Sequence, residues 1–132
     1  MNDTITTVQP LAAPFIHGLA AHTLRYQHCP ACGHAQTLAH YACRRCASDQ
    51  LAWRDASGNA TVRACTVVAR APSEEFRTLA PYTLVIAQLD EGPRLMAHAD
   101  ARVQIGQRVR AGFFEHNGRT LIRFFPSEDA PG

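Results

Sequence analysis

The chain has 132 residues, 46% of them apolar, and a formal net charge of +2 from 13 basic and 11 acidic side chains. That is room for one ordinary domain or two very small ones, with enough apolar material for a core. It excludes wholesale disorder and gives no strong electrostatic pull toward nucleic acid or anionic lipid. Every basic residue is arginine, which reads either as compositional bias or as a set of planar, permanently charged forks for phosphate or carboxylate.

Residues 1–10 are polar and threonine-rich and are expected to form a flexible tail. They lack a basic residue and carry Asp3, so they do not read as a secretory leader. No apolar run approaches the ~20 residues that span a bilayer, and a soluble, cytoplasmic protein without membrane contact is expected. Residues 11–24 place Phe15, Ile16, Leu19 and Ala20 at roughly helical spacing, which predicts a short amphipathic helix with Pro14 in its first turn. A helix of that length is not stable alone, so its apolar side must pack on something.

Residues 25–54 contain Cys29, Cys32, Cys43 and Cys46, two C-x-x-C pairs separated by ten residues. Within each pair the two intervening residues let the chain turn so that both sulfurs face one point. Two such knuckles complete a tetrahedron of thiolates, with Gly33 tolerating the positive φ of the first. Four ligands leave no open position, which describes one structural Zn²⁺ rather than a catalytic one. Iron in the same four sulfurs is an alternative. Substitution of a sulfur by His28, His34 or His40, and dithiol redox chemistry, fit less well because the cysteines already fill the shell and no βαβ pattern surrounds them.

Residues 55–127 change to strand patterning. Segments 60–70 and 82–89 are rich in β-branched residues, 94–98 can return after the turn at 90–93, and 108–116 and 119–125 flank Asn117-Gly118, a strong hairpin signal. Around five strands in some 70 residues predict a small closed or nearly closed β-barrel. Residues 71–81 are the longest irregular stretch there, a place where function concentrates. Cys65, among Val62, Val67 and Val68, reads as a small buried hydrophobe. His98 and Asp100 share a strand face and read as a hydrogen-bonded pair, with no nucleophile to complete a triad.

The sequence resembles a family of small bacterial and archaeal proteins built from an N-terminal helix, a rubredoxin-like zinc ribbon and an OB-fold barrel, which accompany enzymes of acyl-CoA metabolism. The resemblance rests on Phe15 and Leu19, Cys29-Pro30-Ala31-Cys32-Gly33, Cys43-Arg44-Arg45-Cys46, Leu51-Ala52-Trp53 and Ser57-Gly58. It continues through Thr66-Val67-Val68, Phe76, Pro81-Tyr82, Leu89-Asp90-Glu91-Gly92, Ile105-Gly106-Gln107-Arg108-Val109 and Phe125-Pro126. Ala60, where the family usually has glycine, Cys65, where it often has an aromatic, and Arg44-Arg45, in place of a proline-containing knuckle, depart from the pattern.

The resemblance implies a mainly β fold in which the five-stranded barrel is an OB fold. It also implies a non-catalytic accessory subunit of a hetero-oligomer, docked on a thiolase-like or aldolase subunit and assisting binding or transfer of acyl-CoA at the shared interface. No nucleophile elbow or Gly-rich phosphate loop argues for catalysis by this chain alone. On that reading Arg70, Arg77, Tyr82 and Arg94 are candidates for CoA contact, and Phe15, Ile16 and Leu19 for docking on the partner. The rival reading is a single-stranded nucleic-acid binder using Phe113-Phe114 and Phe124-Phe125, against which the small net charge counts. A scaffold for some other enzyme is a third.

Overall fold

The computed structural model describes residues 11–37 and 39–127; the tail expected at residues 1–10 and the side chain of Leu38 lie outside them. A first helix, α1 (Ala13–Ala20), carries proline in its opening turn, as predicted. It stops short of residue 24 because His22 takes a left-handed φ of 59°. The N–H groups of His22 and Thr23 then turn back to the carbonyls of Leu19 (2.9 Å) and Gly18 (2.7 Å). Those two bonds make a Schellman closure with a histidine where glycine is usual. The His22 ring stacks on Phe113 at 5.1 Å between centroids, 8° from parallel, and this contact ties the helix end to the barrel. Phe15 and Leu19 pack from α1 onto the barrel core.

Three short strands form the ribbon: β1 (Arg25–His28), β2 (Ala35–Gln36) and β3 (Ala52–Asp55), with β1 central and antiparallel to both neighbours. Five more strands form the barrel: β4 (Asn59–Val68), β5 (Tyr82–Leu89), β6 (Arg94–Ala99), β7 (Arg108–His116) and β8 (Arg119–Pro126). The order is β4-β5-β6-β8-β7, with β4 also paired to β7, so the sheet closes on itself. The β6–β8 pair is the parallel one. This closed Greek-key order is that of the OB fold.

Closure demands that β4 serve two neighbours, and the register shift between Val62 and Ala64 supplies the bend. Along β5 the buried side chains alternate as Thr83, Val85, Ala87 and Leu89, the period of a strand with one face in a core. Val62, Val85, Leu89, Val109 and Phe124 are fully buried and fill the barrel. Asn117 and Gly118 adopt φ of 51° and 77°, the two left-handed residues of a type I′ hairpin.

Two expectations change. Segment 71–81 contains a 3-10 turn, Glu74–Leu79, held to the β7–β8 hairpin by His116 Nε2 on the Glu75 carbonyl and by Arg119 on the Glu75 carboxylate. His98 and Asp100 do not pair. Asp100 accepts from Arg102 at 2.8 Å, while His98 sits among Tyr82, Phe76 and Phe114. Burial, with the charges of Arg123 and His116, holds the His98 pKa below its ordinary value. Among the described residues no helix is long and apolar enough to cross a membrane.

Gly112 has no room for a side chain, since a Cβ there would lie 2.8 Å from Phe125 Cε2. Gly112→Ala is expected to destabilise the barrel by about 1–3 kcal/mol through overpacking, read as a fall in Tm. A second expectation concerns acid. The Asp90 carboxylate takes two bonds from Arg108, 2.7 and 2.8 Å long, which hold its pKa below the ordinary carboxylate value. The contribution is full above the unfolded pKa of about 4 and disappears as pH falls through the lower folded value. Asp90→Asn should therefore reduce stability near neutrality, by no more than about 1 kcal/mol for so exposed a pair, and shrink the loss on acidification.

Candidate metal centre

The two knuckles fold by the same backbone scheme. In the first, Cys29 C=O accepts from Gly33 N–H (2.7 Å) and Cys29 N–H donates to His34 C=O (2.9 Å); in the second, Cys43 C=O accepts from Ala47 N–H (2.9 Å) and Cys43 N–H donates to Ser48 C=O (2.8 Å). Each turn needs a left-handed residue after its second cysteine, and Gly33 (φ 82°) and Ala47 (φ 69°) fill those positions. Only the first is a glycine, so the second knuckle carries the Cβ strain of an alanine in that conformation.

The Sγ atoms of Cys29, Cys32, Cys43 and Cys46 all lie within 4.8 Å of one another, and the Cys29–Cys46 and Cys32–Cys43 separations are both 3.6 Å. Zn–S bonds of about 2.3 Å at tetrahedral angles put sulfurs about 3.8 Å apart, close to the two 3.6 Å separations, so the four sulfurs suit zinc. The cluster contains no histidine, and His28, His34 and His40 stand outside it. Cys29 and Cys43 are buried, Cys32 is half-buried and Cys46 is exposed.

Without a cation the sulfurs divide their protons unevenly. Burial opposes ionisation of Cys43, but the N–H groups of Cys46 and Arg45 and the neighbouring thiols outweigh it and bring the pKa down to about 6. At Cys46 the Ser48 N–H favours the thiolate, yet contact with Cys29, burial and the other two sulfurs push its pKa up to about 12. Zinc binding must displace those protons.

Sequence reasoning missed a polar device beneath the metal. Gln27 and Gln36 are 2% and 6% exposed and bond to each other at 2.8 Å. Gln27 also takes the His40 N–H (3.1 Å) and donates to the His40 carbonyl (3.1 Å), while Gln36 takes the Arg44 N–H (3.1 Å). Two buried amides thus hold the loop leading into the second knuckle against the β1–β2 hairpin. The only sequence signal was a pair of polar residues at strand positions, which read equally well as solvent-facing.

The other candidates do not converge on one site. Arg70 and Arg77 are exposed near the 3-10 turn, with Arg77 3.5 Å from Glu74, and Tyr82 packs on His98 there. Arg94 starts β6 opposite Gln88, at the far end of β5 from Tyr82 and about 20 Å along the strand. It borders two cavities. One, of about 580 Å³, lies between the ribbon and the β5–β6 turn and is lined by His34, His40, Arg44, Arg45 and Arg94. The other, of about 610 Å³, is apolar and runs along α1 and the barrel wall past Phe15, Leu19, Ile86, Met96 and Leu121. Of the docking candidates, Phe15 and Leu19 are therefore partly packed on the core, and Ile16 is the outward one at 53% exposure.

The family model of the rubredoxin-like zinc ribbon domain of ChsH2 matches residues 17–52, and that of the C-terminal OB-fold domain of ChsH2 matches residues 53–114. Among solved structures, a chain of the "Ltp2-ChsH2(DUF35) aldolase" is similar over 92% of this chain and 98% of its own, with a TM-score of 0.78 and 24% identity. A protein of the DUF35 family from Sulfolobus solfataricus is similar over 94% of this chain and 92% of its own, with a TM-score of 0.64 and 18% identity. At those identities the two structures show a shared fold. With the zinc-ribbon match and the four-sulfur cage, the metal is one structural zinc.

Removing zinc with a chelator is expected to unfold the ribbon while the barrel keeps its β-sheet circular dichroism, because the barrel has its own core. Acidification should release the metal as the thiolates are protonated, followed with a colorimetric zinc indicator. Ala47→Gly should stabilise the zinc-loaded ribbon by about 0.5–1 kcal/mol, the relief of left-handed strain less the backbone entropy of glycine. A chelator competition would then show slower zinc loss.

Proposed function

The chain belongs to the ChsH2 family of zinc-ribbon and OB-fold proteins, and from that premise we propose that it is a non-catalytic accessory subunit. It docks on a thiolase-fold enzyme, or on a related aldolase or acyltransferase, and assists binding or transfer of acyl-CoA intermediates. The observation that carries this reading is the likeness, along 98% of the other chain, to a component of an assembly described as an Ltp2–ChsH2(DUF35) aldolase. Helix, ribbon and barrel recur there as one unit, so what the fold does in an assembly is a better guide than the fold of any one part.

The exposed apolar side chains suit docking. Ile16 on α1 and Tyr41 in the ribbon are 53% and 82% exposed, and isolated large apolar side chains of this kind anchor interfaces when a partner covers them. The rival nucleic-acid reading needs aromatics free to stack on bases. Phe124 is instead in the core, Phe113 is stacked on His22, and Phe114 carries the Arg123 guanidinium 4.3 Å from its ring centre.

The test is a pull-down from the source organism with the tagged, zinc-loaded chain, washed at high salt, the retained proteins being identified by mass. A thiolase-fold or aldolase subunit in fixed ratio is the expected result; retention of nucleic acid, or of nothing, overturns the reading. Ile16→Asp should abolish that retention with an unchanged circular dichroism spectrum, whereas full binding by the variant would remove α1 from the interface.

A further inference from the structure

Barrel closure leaves one stretch of β4 with a neighbour on one side only. Its pairing with β7 ends at Thr61, opposite Arg108. Val62 then spends its N–H on the Gln107 carbonyl (3.0 Å) and its C=O on the Gly106 N–H (2.7 Å). Past the register shift between Val62 and Ala64, residues 64–68 pair with β5 alone, Ala64 opposite Ile86 and Val68 opposite Tyr82. Full burial of the strand stops at the same place. Ala64, Thr66 and Val67 are exposed, Val67 to 65% of its surface.

The alternation of antiparallel bonding tells which backbone groups are left over. Leu89 directs both of its groups to the β6 side, its N–H to the Pro93 carbonyl (2.8 Å) and its C=O to the Gly92 N–H (2.9 Å). Every second residue of β5 does likewise, so Ala87, Val85 and Thr83 serve β6, while Ile86, Leu84 and Tyr82 serve β4. Val62, opposite Ala87, shows the same phase, since both its bonds run away from β5. Ala64, Thr66 and Val68 are therefore satisfied by β5. Cys65 and Val67, opposite Val85 and Thr83, turn their N–H and C=O groups outward. Those four groups have no backbone partner among the described residues. Set at the spacing of a strand, they are a template for one strand more.

We propose that this edge pairs with the same edge of a second copy of the chain, antiparallel, about a two-fold axis at Thr66. The stretch is self-complementary. Pairing Cys65 with Val67 of the second copy, and Val67 with its Cys65, brings every outward group onto a partner. In that register Thr66 meets Thr66, a pair that neighbouring strands favour, and Ala64 meets Val68. Residues 64–68 (ACTVV) carry no charge and are rich in β-branched side chains, while the nearest charges, Arg63 and Arg70, fall outside the paired stretch. The ends match as well. Gly106 and Gln107 close the edge at Val62, and the second copy's chain bends away after Val68, just where it would meet them. Two strands of five residues bury less than a standard interface, so the dimer is weak, with a dissociation constant of about 0.1 mM. The pairing uses no residue of the ribbon or of α1 and stands independently of the accessory-subunit reading.

Sedimentation velocity of the zinc-loaded full chain, from about 10 µM to about 1 mM, is expected to show a reversible shift from monomer to dimer. Val67→Pro removes an outward N–H and costs β5 no bond, so it should abolish the dimer and leave the circular dichroism spectrum intact. Val67→Lys, a charge on an exposed edge, should do the same without touching the backbone. Amide exchange resolves the residues. The Cys65 and Val67 N–H groups should slow about 4-fold across that range, the fall in free monomer for this constant. The Thr66 N–H, bonded to β5, should be slow at both ends. On the two-fold axis the Thr66 Cα atoms lie about 4.5 Å apart, within disulfide reach. Thr66→Cys in a Cys65→Ala background should therefore cross-link two chains in oxidised glutathione, and adding Val67→Lys should prevent it.

A chain that stays monomeric at about 1 mM, or a dimer that survives Val67→Lys, overturns the pairing. Slow exchange of the Cys65 and Val67 amides in dilute, monomeric protein means that the same chain covers its own edge, and overturns it equally. If those amides slow only when the enzyme retained in the pull-down is added, the extra strand belongs to that enzyme and the second copy is excluded.

Discussion

The tetrathiolate cage is the constraint from which the first half of the molecule follows. Some thirty residues cannot bury enough apolar surface to fold unaided, and among the described residues of the ribbon the buried apolar side chains are Tyr26 and the two ligands Cys29 and Cys43. Beneath its metal lie two glutamines bonded to each other and to the loop entering the second knuckle. Buried amides of this kind give direction but little net energy, so the folding free energy must come from the metal. With the cage closed, the ribbon becomes rigid enough to present Thr37, His40, Arg44 and Arg45 toward the barrel as a fixed surface.

The barrel meets that surface with a geometry of its own. A bulge in β4 lets one strand pair with both β5 and β7, and closure places the β5–β6 turn, with Pro93 and Arg94, beside the ribbon. The helix is held at its far end, where His22 lies flat on Phe113, so that Phe15 and Leu19 rest on the barrel and roof an apolar groove. Three modest contacts, a stacked ring, a threonine hydroxyl on a backbone carbonyl and the Leu24 carbonyl accepting from Ala56 N–H at 2.7 Å, make a single body of parts that would otherwise move separately.

Features that depend on near neighbours were readable before any coordinates. The cysteine spacing specified the cage, Asn117-Gly118 specified its hairpin, and the β-branched richness of 82–89 specified a strand whose observed bounds are Tyr82–Leu89. The features that escaped depend on contacts far apart in the chain. Nothing near His22 announces a left-handed helix end; it is stabilised by a ring some ninety positions later. Gln27 and Gln36 look solvent-facing until the second knuckle folds over them. Arg94 looked akin to Arg70 and Arg77 because all are barrel arginines. The barrel topology separates it from them and brings it to Arg44 and Arg45, about fifty positions earlier. Pairing of His98 with Asp100 failed for a local reason, the closer Arg102, which a reading by strand face alone does not weigh.

The asymmetry between the two knuckles has a kinetic meaning. Cys29 is sealed from solvent behind an unstrained glycine turn, whereas Cys46 is exposed and precedes an alanine held in a left-handed conformation. The weaker half of the cage is thus also its accessible half. Metal exchange should begin with release of the Cys46 sulfur and proceed through an intermediate still anchored by the first knuckle, which gives the ribbon a door for zinc on one side only. That door opens beside Arg44 and Arg45, which lie between Cys43 and Cys46.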